Sequence, residues 1–200
     1  MLLNAFSNYL MCEVSIKMLV ICVVGMPASG KGIVVEEAKK MGFPVIVMGD
    51  IVREETVKRG LPLTPQNLNM VAKDLRDKEG EDVVAKRCVK KIGKIRSNVV
   101  IVDGVRSLKE LERYKRDLGK TVVIAVHASP QVRFKRILKR NRPGDPKSWN
   151  EFVERDLVEL SFGLGNVIAL ADYMIVNEGT IEELREMAKK VLKEILSKHC

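Results

Sequence analysis

Histidine and cysteine are scarce in this chain of 200 residues, which contains two His and four Cys. The cysteines are far apart in the sequence, at Cys12, Cys22, Cys88 and Cys200, and none forms a C-x-x-C pair. Structural zinc sites and disulfide frameworks need clustered or regularly spaced ligands. The sequence therefore predicts neither, and we expect the fold to rest on an ordinary hydrophobic core.

Long apolar runs are also missing, since no stretch approaches the roughly 20 apolar residues that a transmembrane helix needs. Residues 1–17 are mildly apolar but lack a basic first segment and an A-x-A-like cleavage site, so they do not indicate a signal peptide. We interpret residues 1–17 as a leader, either an upstream start or a short appended element, that the domain of residues 18–200 does not require. The expectation is a cytoplasmic protein without membrane association.

Strand and helix patterns alternate along the rest of the chain. Runs rich in Val and Ile predict five buried strands, at residues 18–24, 44–48, 98–102, 122–126 and 172–176. Helical patterns occupy residues 31–41, 51–59, 65–95 with a break near Gly80, 130–140, 148–161 and 181–198. Ser107, Ser148 and Thr180 each precede a Glu by three residues, which predicts a helix start. This alternation predicts a three-layer α/β fold with a five-stranded parallel sheet.

The loop between the first strand and the first helix carries the strongest functional signal. It follows the pattern G-x-x-x-x-G-K and consists of Gly25, Met26, Pro27, Ala28, Ser29, Gly30, Lys31 and Gly32. Glycines let backbone N–H groups approach a polyphosphate, the following helix directs its positive end at the same anion, and Lys31 adds a full charge. The sequence therefore predicts a phosphate-binding loop, with Gly32 where Ser or Thr commonly binds Mg²⁺.

Charged residues follow the second and third predicted strands. Asp50 and Arg53 come after the second strand, and Asp103 and Arg106 come after the third. The carboxyl ends of parallel strands form one edge of the sheet, where ligands bind in such folds. Asp103 is predicted to hold Mg²⁺ through water, with a structural role as the alternative. Asp50 has two interpretations, a substrate-binding residue or the N-cap of a helix.

Positive charge is in excess, because Lys and Arg outnumber Asp and Glu by 35 to 26, for a net charge of +9. Residues 131–142 contain no acid and six cations, namely Arg133, Lys135, Arg136, Lys139, Arg140 and Arg142. Apolar residues supply the other side of this predicted helix, so we expect its arginines to face solvent or a cleft. Anionic ligands such as nucleotides or RNA would explain the charge, and solubility with surface ion pairs is the alternative.

These motifs resemble the nucleoside-monophosphate kinase branch of P-loop proteins. A glycine follows the loop lysine in the adenylate kinase version of the loop, as it does here. Residues 49–53 are similar to that family's acceptor-nucleotide motif, and residues 103–106 to its third-strand motif. Residues 171–180 look more like dephospho-coenzyme A kinase. The mixture is similar to archaeal adenylate kinase-related proteins.

The resemblance implies a P-loop NTPase fold that binds the phosphates of ATP at residues 25–32. It implies an acceptor-binding region at about residues 49–95 and a lid region at about 136–155, whose loop at about 141–149 is short. Ile33 stands where adenylate kinases carry Thr. The implied site residues are Lys31, Arg136, Arg140 and Arg155 for catalysis, with Asp50, Arg53 and Arg106 for the acceptor.

The leading prediction is an ATP- and Mg²⁺-dependent kinase that moves the γ-phosphoryl group to a small, phosphorylated, nucleotide-like acceptor. Arginines that follow two separate strands favour this interpretation, because phosphoryl transfer depends on positioning and charge neutralisation. The alternative is an ATPase switch that acts on RNA or a protein partner, which the net positive charge keeps open. A nucleotide-binding module with little turnover is the third interpretation.

Overall fold

A computed structural model describes residues 18–199. These residues form a five-stranded sheet whose neighbouring strands are all parallel, in the order β2-β3-β1-β4-β5. The strands are β1 (Leu19–Val24), β2 (Val45–Val47), β3 (Val99–Asp103), β4 (Thr121–His127) and β5 (Tyr173–Val176). The predicted sheet is confirmed. The predicted leader, residues 1–17, lies outside the described residues.

Nine helices connect and follow the strands within the described part of the chain. They are α1 (Lys31–Lys40), α2 (Met48–Lys58), α3 (Pro65–Glu79), α4 (Val83–Ile92), α5 (Leu108–Leu118), α6 (Pro130–Arg140), α7 (Trp149–Ser161), α8 (Leu164–Ala169) and α9 (Ile181–His199). The hydroxyl groups of Ser107, Ser148 and Thr180 accept hydrogen bonds from the backbone N–H three residues later, as predicted. Within residues 18–199, no helix combines the length and apolar character needed to cross a membrane.

The structure differs from the sequence prediction at two helices. α2 begins at Met48 rather than near residue 51, so Asp50 lies in its first turn and is not the N-cap. The capping interpretation of Asp50 was therefore wrong, and its carboxylate instead accepts hydrogen bonds from Arg53. Helix α8 was not predicted, because it has six residues and starts after Gly163 without a side-chain cap.

Two layers of helices cover the sheet and bury both faces of its central strands. The six residues of β1 are all buried, and they alternate between two hydrophobic clusters. Val20, Cys22 and Val24 pack towards helices α2–α5 and α8, while Leu19, Ile21 and Val23 pack towards α1 and α9. A strand with both faces buried is apolar at every position, which explains the continuous run before the loop. The carboxyl ends of all five strands lie at one edge.

Candidate active site

The loop between β1 and α1 is shaped by residues in left-handed backbone conformations. Gly25, Ala28 and Gly30 have φ values of 148°, 64° and 108°. Changes of hand between successive residues turn backbone N–H groups to the inner side of a loop and create a concave anion site. Gly30 also precedes the first turn of α1, whose positive end adds to the attraction for an anion. The loop is therefore built to surround a phosphate chain.

Two of the loop glycines leave no room for a side chain. A Cβ atom at Gly25 would lie 2.3 Å from the carbonyl oxygen of Val126, at the end of β4. A Cβ atom at Gly30 would lie 2.3 Å from Nδ2 of Asn177 and 2.9 Å from Cδ2 of Leu184. The loop backbone is thus held tightly against the ends of β4 and β5 and the start of α9.

Asn177, which follows β5, anchors the loop from the other side. Only 4% of Asn177 is exposed, and its Nδ2 donates a hydrogen bond to the Ser29 carbonyl at 2.7 Å. Its Oδ1 accepts a bond from Nη2 of Arg136 at 3.1 Å. We did not assign Asn177 a role from the sequence. Asp103 was selected because it lies at the carboxyl end of a strand, where ligands bind in such folds. The same criterion, applied to the fifth strand, would have selected Asn177.

The ammonium group of Lys31 is folded back over the loop. Its Nζ donates hydrogen bonds to the carbonyl oxygens of Gly25 at 2.6 Å and Met26 at 3.2 Å. Burial lowers the pKa of Lys31, and the nearby charge of Asp103 opposes that change. The positive charge of Lys31 therefore lies at the loop, where phosphate oxygens could replace the two carbonyl oxygens as its hydrogen-bond acceptors.

Asp103, the last residue of β3, has an unsatisfied carboxylate oxygen. Its Oδ1 is buried and has no hydrogen-bond partner among residues 18–199. Burial raises the pKa of Asp103, while the charges of Lys31, Arg106 and Arg53 act to lower it. A free carboxylate oxygen beside a phosphate loop fits the oxygen chemistry of Mg²⁺. No cluster of three His, Cys, Asp or Glu within the described residues could hold a metal, so water and phosphate oxygens would complete its coordination.

Three adjoining cavities form one groove across the loop. The first, about 240 Å³, is lined by Gly25, Lys31, Arg106, Arg140, Arg155 and Glu159, among others. The second, about 420 Å³, contains Lys31, Asp103 and Arg136, and the third, about 620 Å³, lies between α6 and the start of α9. Arg140 lines all three cavities. Lys31 lines the first and the second, and Arg136 lines the second and the third. The three cavities therefore adjoin one another next to the loop.

The structure brings most of the proposed site residues to this groove. Arg136 lines the second and third cavities, Arg155 and Arg106 line the first, and Lys31 lines the first and second. Arg53 and Asp50 line none of the three, and they form an ion pair on α2. We expected Arg53 and Arg106 to converge on one site. Both lie close enough to Asp103 to lower its pKa, but only Arg106 lines a cavity.

Arg133 corrects the prediction that the arginines of α6 face solvent or a cleft. Its side chain is 4% exposed, and its guanidinium binds both carboxylate oxygens of Asp156 on α7. Its Nε donates to the carbonyl of Ala128 at 3.1 Å, and its guanidinium lies 4.8 Å from the Phe152 ring centre. Arg133 therefore joins α6 to α7 inside the protein, because a half-buried acid from another helix neutralises its charge. The α6 sequence alone does not reveal that partner.

Acidic partners of the groove arginines were also missed. Glu159 on α7 lines the first cavity, forms an ion pair with Arg106 and accepts a hydrogen bond from its Nη2 at 3.2 Å. Asp145, in the loop between α6 and α7, binds both Arg140 and Arg155. No sequence motif identifies these acids, since the pairs join residues of different elements. The groove is therefore a network of fixed arginines rather than a set of free cations.

Comparison with known proteins agrees with this geometry. A family model described as an AAA domain matches residues 24–153. A UPF0200 protein from Hyperthermus butylicus is 56% identical over 177 residues, which cover 88% of this chain and 95% of that protein. Another, from Staphylothermus marinus, is 51% identical over 183 residues and covers 92% and 96% of the two chains. The chain belongs to the UPF0200 family and carries an AAA domain.

Solved structures support the fold of this UPF0200 chain. TT1252 from Thermus thermophilus has a TM-score of 0.61 at 18% identity and covers 92% of this chain and 99% of its own. A shikimate kinase from Acinetobacter baumannii, in complex with shikimate, has a TM-score of 0.54 at 20% identity and covers 91% and 94%. The predicted P-loop kinase-like fold is confirmed, and at these identities the likeness concerns the fold alone.

The contacts of the two glycines beside Lys31 give a matched pair of variants. Gly30→Ala should destabilise the protein by about 1–2 kcal/mol or more, since alanine disfavours a positive φ and its methyl group would displace Asn177. Gly32→Ala meets no atom within 4 Å and lies in α1, so it should be neutral or stabilise by about 0.5–1 kcal/mol. Denaturant unfolding measures both changes. Equal stability of the two variants would contradict the tight loop contact.

Proposed function

We propose that this protein binds ATP with Mg²⁺ in the groove and transfers the γ-phosphoryl group to a small, nucleotide-like, phosphorylated acceptor. The observation that carries the proposal is that two cavities meet at Lys31 of the loop. Lys31 lines both the first and the second cavity, so a phosphate held by Lys31 would border both. Transfer between two bound molecules needs two such adjoining spaces, because both reactants must meet at one phosphorus atom.

The third cavity is the site proposed for the adenine base and ribose. It is the largest of the three, at about 620 Å³, and Ile33, Ile181 and Leu184 contribute an apolar surface. Small-molecule sites are mostly apolar with a few placed polar groups. Asn177 and Thr180 supply polar groups at its edge. From there the triphosphate would run along the second cavity to the loop.

The phosphates would be held by the loop N–H groups, Lys31 and Arg136. Nη2 of Arg136 is bound to Asn177, while its Nη1 is buried without a partner among residues 18–199. A buried donor without a partner is costly, and a phosphate oxygen would satisfy it. Lys31 would exchange its two carbonyl acceptors for phosphate oxygens. These groups are fixed before the ligand arrives, which is how charge stabilisation acts most strongly.

Asp103 is the residue proposed to orient Mg²⁺, directly or through water. It lines the second cavity together with Lys31, where the β- and γ-phosphates would lie. Bound Mg²⁺ would neutralise phosphate charge during transfer. Gly32 has no hydroxyl group that could bind the metal. Asp103, in contrast, has a carboxylate oxygen without a hydrogen-bond partner among the described residues.

The first cavity is the proposed position of the acceptor phosphate. Arg106, Arg140 and Arg155 line it opposite the loop, and each guanidinium can bind phosphate through a planar pair of N–H groups. These arginines would hold the acceptor in line and neutralise the charge of the transferred group. Arg53 and Asp50, on α2, would contact the more distant part of the acceptor.

A switch acting on RNA or a protein partner is the second candidate function. Lys86, Lys90 and Lys94 are exposed along α4 and the turn that follows it, which gives one face of the protein a basic strip. Such strips bind the phosphate backbone of nucleic acids, with affinity that falls steeply as salt rises. Trp149 and Leu157 expose apolar surface on α7, as surfaces that bind proteins do. Salt-dependent retention on RNA would favour this candidate.

The first test concerns ATP binding. Lys31→Ala should weaken ATP binding by roughly 10- to 150-fold, because it removes a charge-assisted phosphate contact worth about 1.5–3 kcal/mol. Lys39→Ala, on the same helix but exposed and away from the groove, is the matched control and should bind like the parent. Calorimetric titration measures both. Unchanged ATP affinity in a folded Lys31→Ala variant would rule out this loop as the ATP site.

The second test concerns the metal. Asp103→Asn should bind ATP without metal about as well as the parent does, but it should lose the gain in affinity that Mg²⁺ confers. The physical reason is that an amide oxygen carries no charge to hold a divalent cation. Asp74→Asn, which breaks the ion pairs of Asp74 with Arg59 and Lys78 away from the groove, serves as the control. An equal Mg²⁺ effect in parent and Asp103→Asn titrations would show that Asp103 does not hold the metal.

The third test identifies the acceptor. Nucleoside monophosphates and dephospho-coenzyme A are screened with radiolabelled ATP for a labelled product. With that acceptor, Arg53→Ala and Arg106→Ala should spare ATP binding and raise the acceptor KM or lower the transfer rate, because a misplaced acceptor loses the advantage of proximity. Lysine replacements should rescue poorly. Arg116→Ala, on the exposed face of α5, is the control.

Two results would count against transfer. One is a screen without any labelled acceptor. The other is ATP hydrolysis by both arginine variants at the rate of the parent. Found together, they would favour the switch.

A further inference from the structure

Asp145 occupies a central position in the loop between α6 and α7. Its side chain is 8% exposed, and its carboxylate binds two arginines of the groove. Arg140 donates from Nε and from Nη2, both at 2.7 Å, and Arg155 donates from Nη1 at 3.2 Å. The backbone N–H of Arg142 adds a fourth hydrogen bond at 3.1 Å. One carboxylate therefore sets the positions of two arginines that come from different helices.

These bonds leave phosphate-binding donors free on both arginines. Arg140 uses one edge of its guanidinium for Asp145, and its Nη1 takes no part in these bonds. Arg155 uses Nη1 only, so its Nε and Nη2 take no part either. Both side chains line the first cavity beside Lys31. A guanidinium held by one edge keeps a fixed plane and can present its other N–H groups to a second anion.

Charge balance gives Asp145 a second effect. Six cations line the first two cavities and share this confined space, namely Lys31, Arg106, Arg136, Arg140, Arg142 and Arg155. Without a local anion they repel one another, and long side chains relieve such repulsion by turning towards solvent. The hydrogen bonds from Arg140 lower the pKa of Asp145 to about 2, so the carboxylate is ionised at neutral pH. Its negative charge holds the two arginines at the groove.

The backbone around Asp145 is itself fixed by a contact with the start of α3. Gly144 has a φ of 79°, and a Cβ atom there would lie 2.6 Å from Cγ of Pro65, the first residue of α3. The backbone N–H of Asp145 also bonds to the carbonyl of Arg142 at 3.0 Å. The loop between α6 and α7 thus packs against the region proposed to bind the acceptor. The packing of Gly144 and the backbone hydrogen bond to Arg142 therefore both hold Asp145 in place.

We infer that Asp145 is a positioning residue, whose carboxylate orients Arg140 and Arg155 towards the γ-phosphoryl group of ATP. The inference rests on the proposed function, because it assumes that ATP binds in the groove. The opposite role is a clamp that withholds the arginines until a phosphate displaces Asp145. The free guanidinium donors favour positioning, since the arginines need not leave Asp145 to bind a phosphate.

The test compares ATP with ADP, since only ATP carries the γ-phosphate. Calorimetry with Mg²⁺ gives the Kd of each nucleotide for the full-length protein and for Asp145→Asn. The variant should lose about tenfold in affinity for ATP, as expected for a lost charge-assisted contact, and much less for ADP. Asp145→Glu, which keeps the carboxylate, should recover part of the loss. A melting curve checks folding, and Asp145→Ala replaces Asp145→Asn should that variant not fold.

Asp117→Asn is the matched control. The Asp117 carboxylate also accepts hydrogen bonds from two arginines, Arg113 at 3.2 Å and Arg116 at 3.0 Å, but it lies on α5 and lines none of the three cavities. It should change neither affinity. Equal losses for ATP and ADP in Asp145→Asn, or unchanged affinities, would overturn the positioning role. Tighter ATP binding would establish the clamp in its place. A parent protein that binds neither nucleotide would overturn the proposed function itself, and this inference with it.

Discussion

The phosphate loop is confined between the ends of two neighbouring strands, and the rest of the site depends on that confinement. Gly25 lies against the backbone near the end of β4, and Gly30 lies against Asn177, which follows β5. Neither contact leaves space for a Cβ atom, so the loop has one path across the edge of the sheet. That path directs the inner N–H groups, the start of α1 and Lys31 at the same point. The site is therefore formed before any ligand binds.

Positively charged side chains are concentrated at this point, and buried or half-buried acidic side chains hold the arginines in fixed positions. Asp156 neutralises Arg133 between two helices, Glu159 binds Arg106, and Asp145 binds Arg140 and Arg155. A buried cation without a partner would destabilise the fold, whereas a paired one can be kept in a fixed orientation. The acids therefore allow a dense group of arginines to remain at the groove.

The third cavity of the groove has a largely apolar surface, and the first cavity is lined by three arginines. An apolar cavity next to a phosphate loop suits a nucleotide base, and an arginine-lined cavity suits a second anion. The proposed phosphotransferase would use both cavities, whereas a simple ATPase would need only one. The exposed lysines of α4 and the apolar surface of α7 are separate features, and they bear on the second candidate function rather than on transfer.

The sequence by itself determined the sheet, the phosphate loop, the helix caps and the placement of Asp103, because each depends on local pattern or on where a strand ends. It missed α8, which has no cap signal, and misjudged Arg133 and the start of α2. Only the tertiary structure decided which acid meets which arginine, and that Arg53 lies outside the cavities. Those pairings join residues distant in the chain, and local patterns carry no information about such contacts.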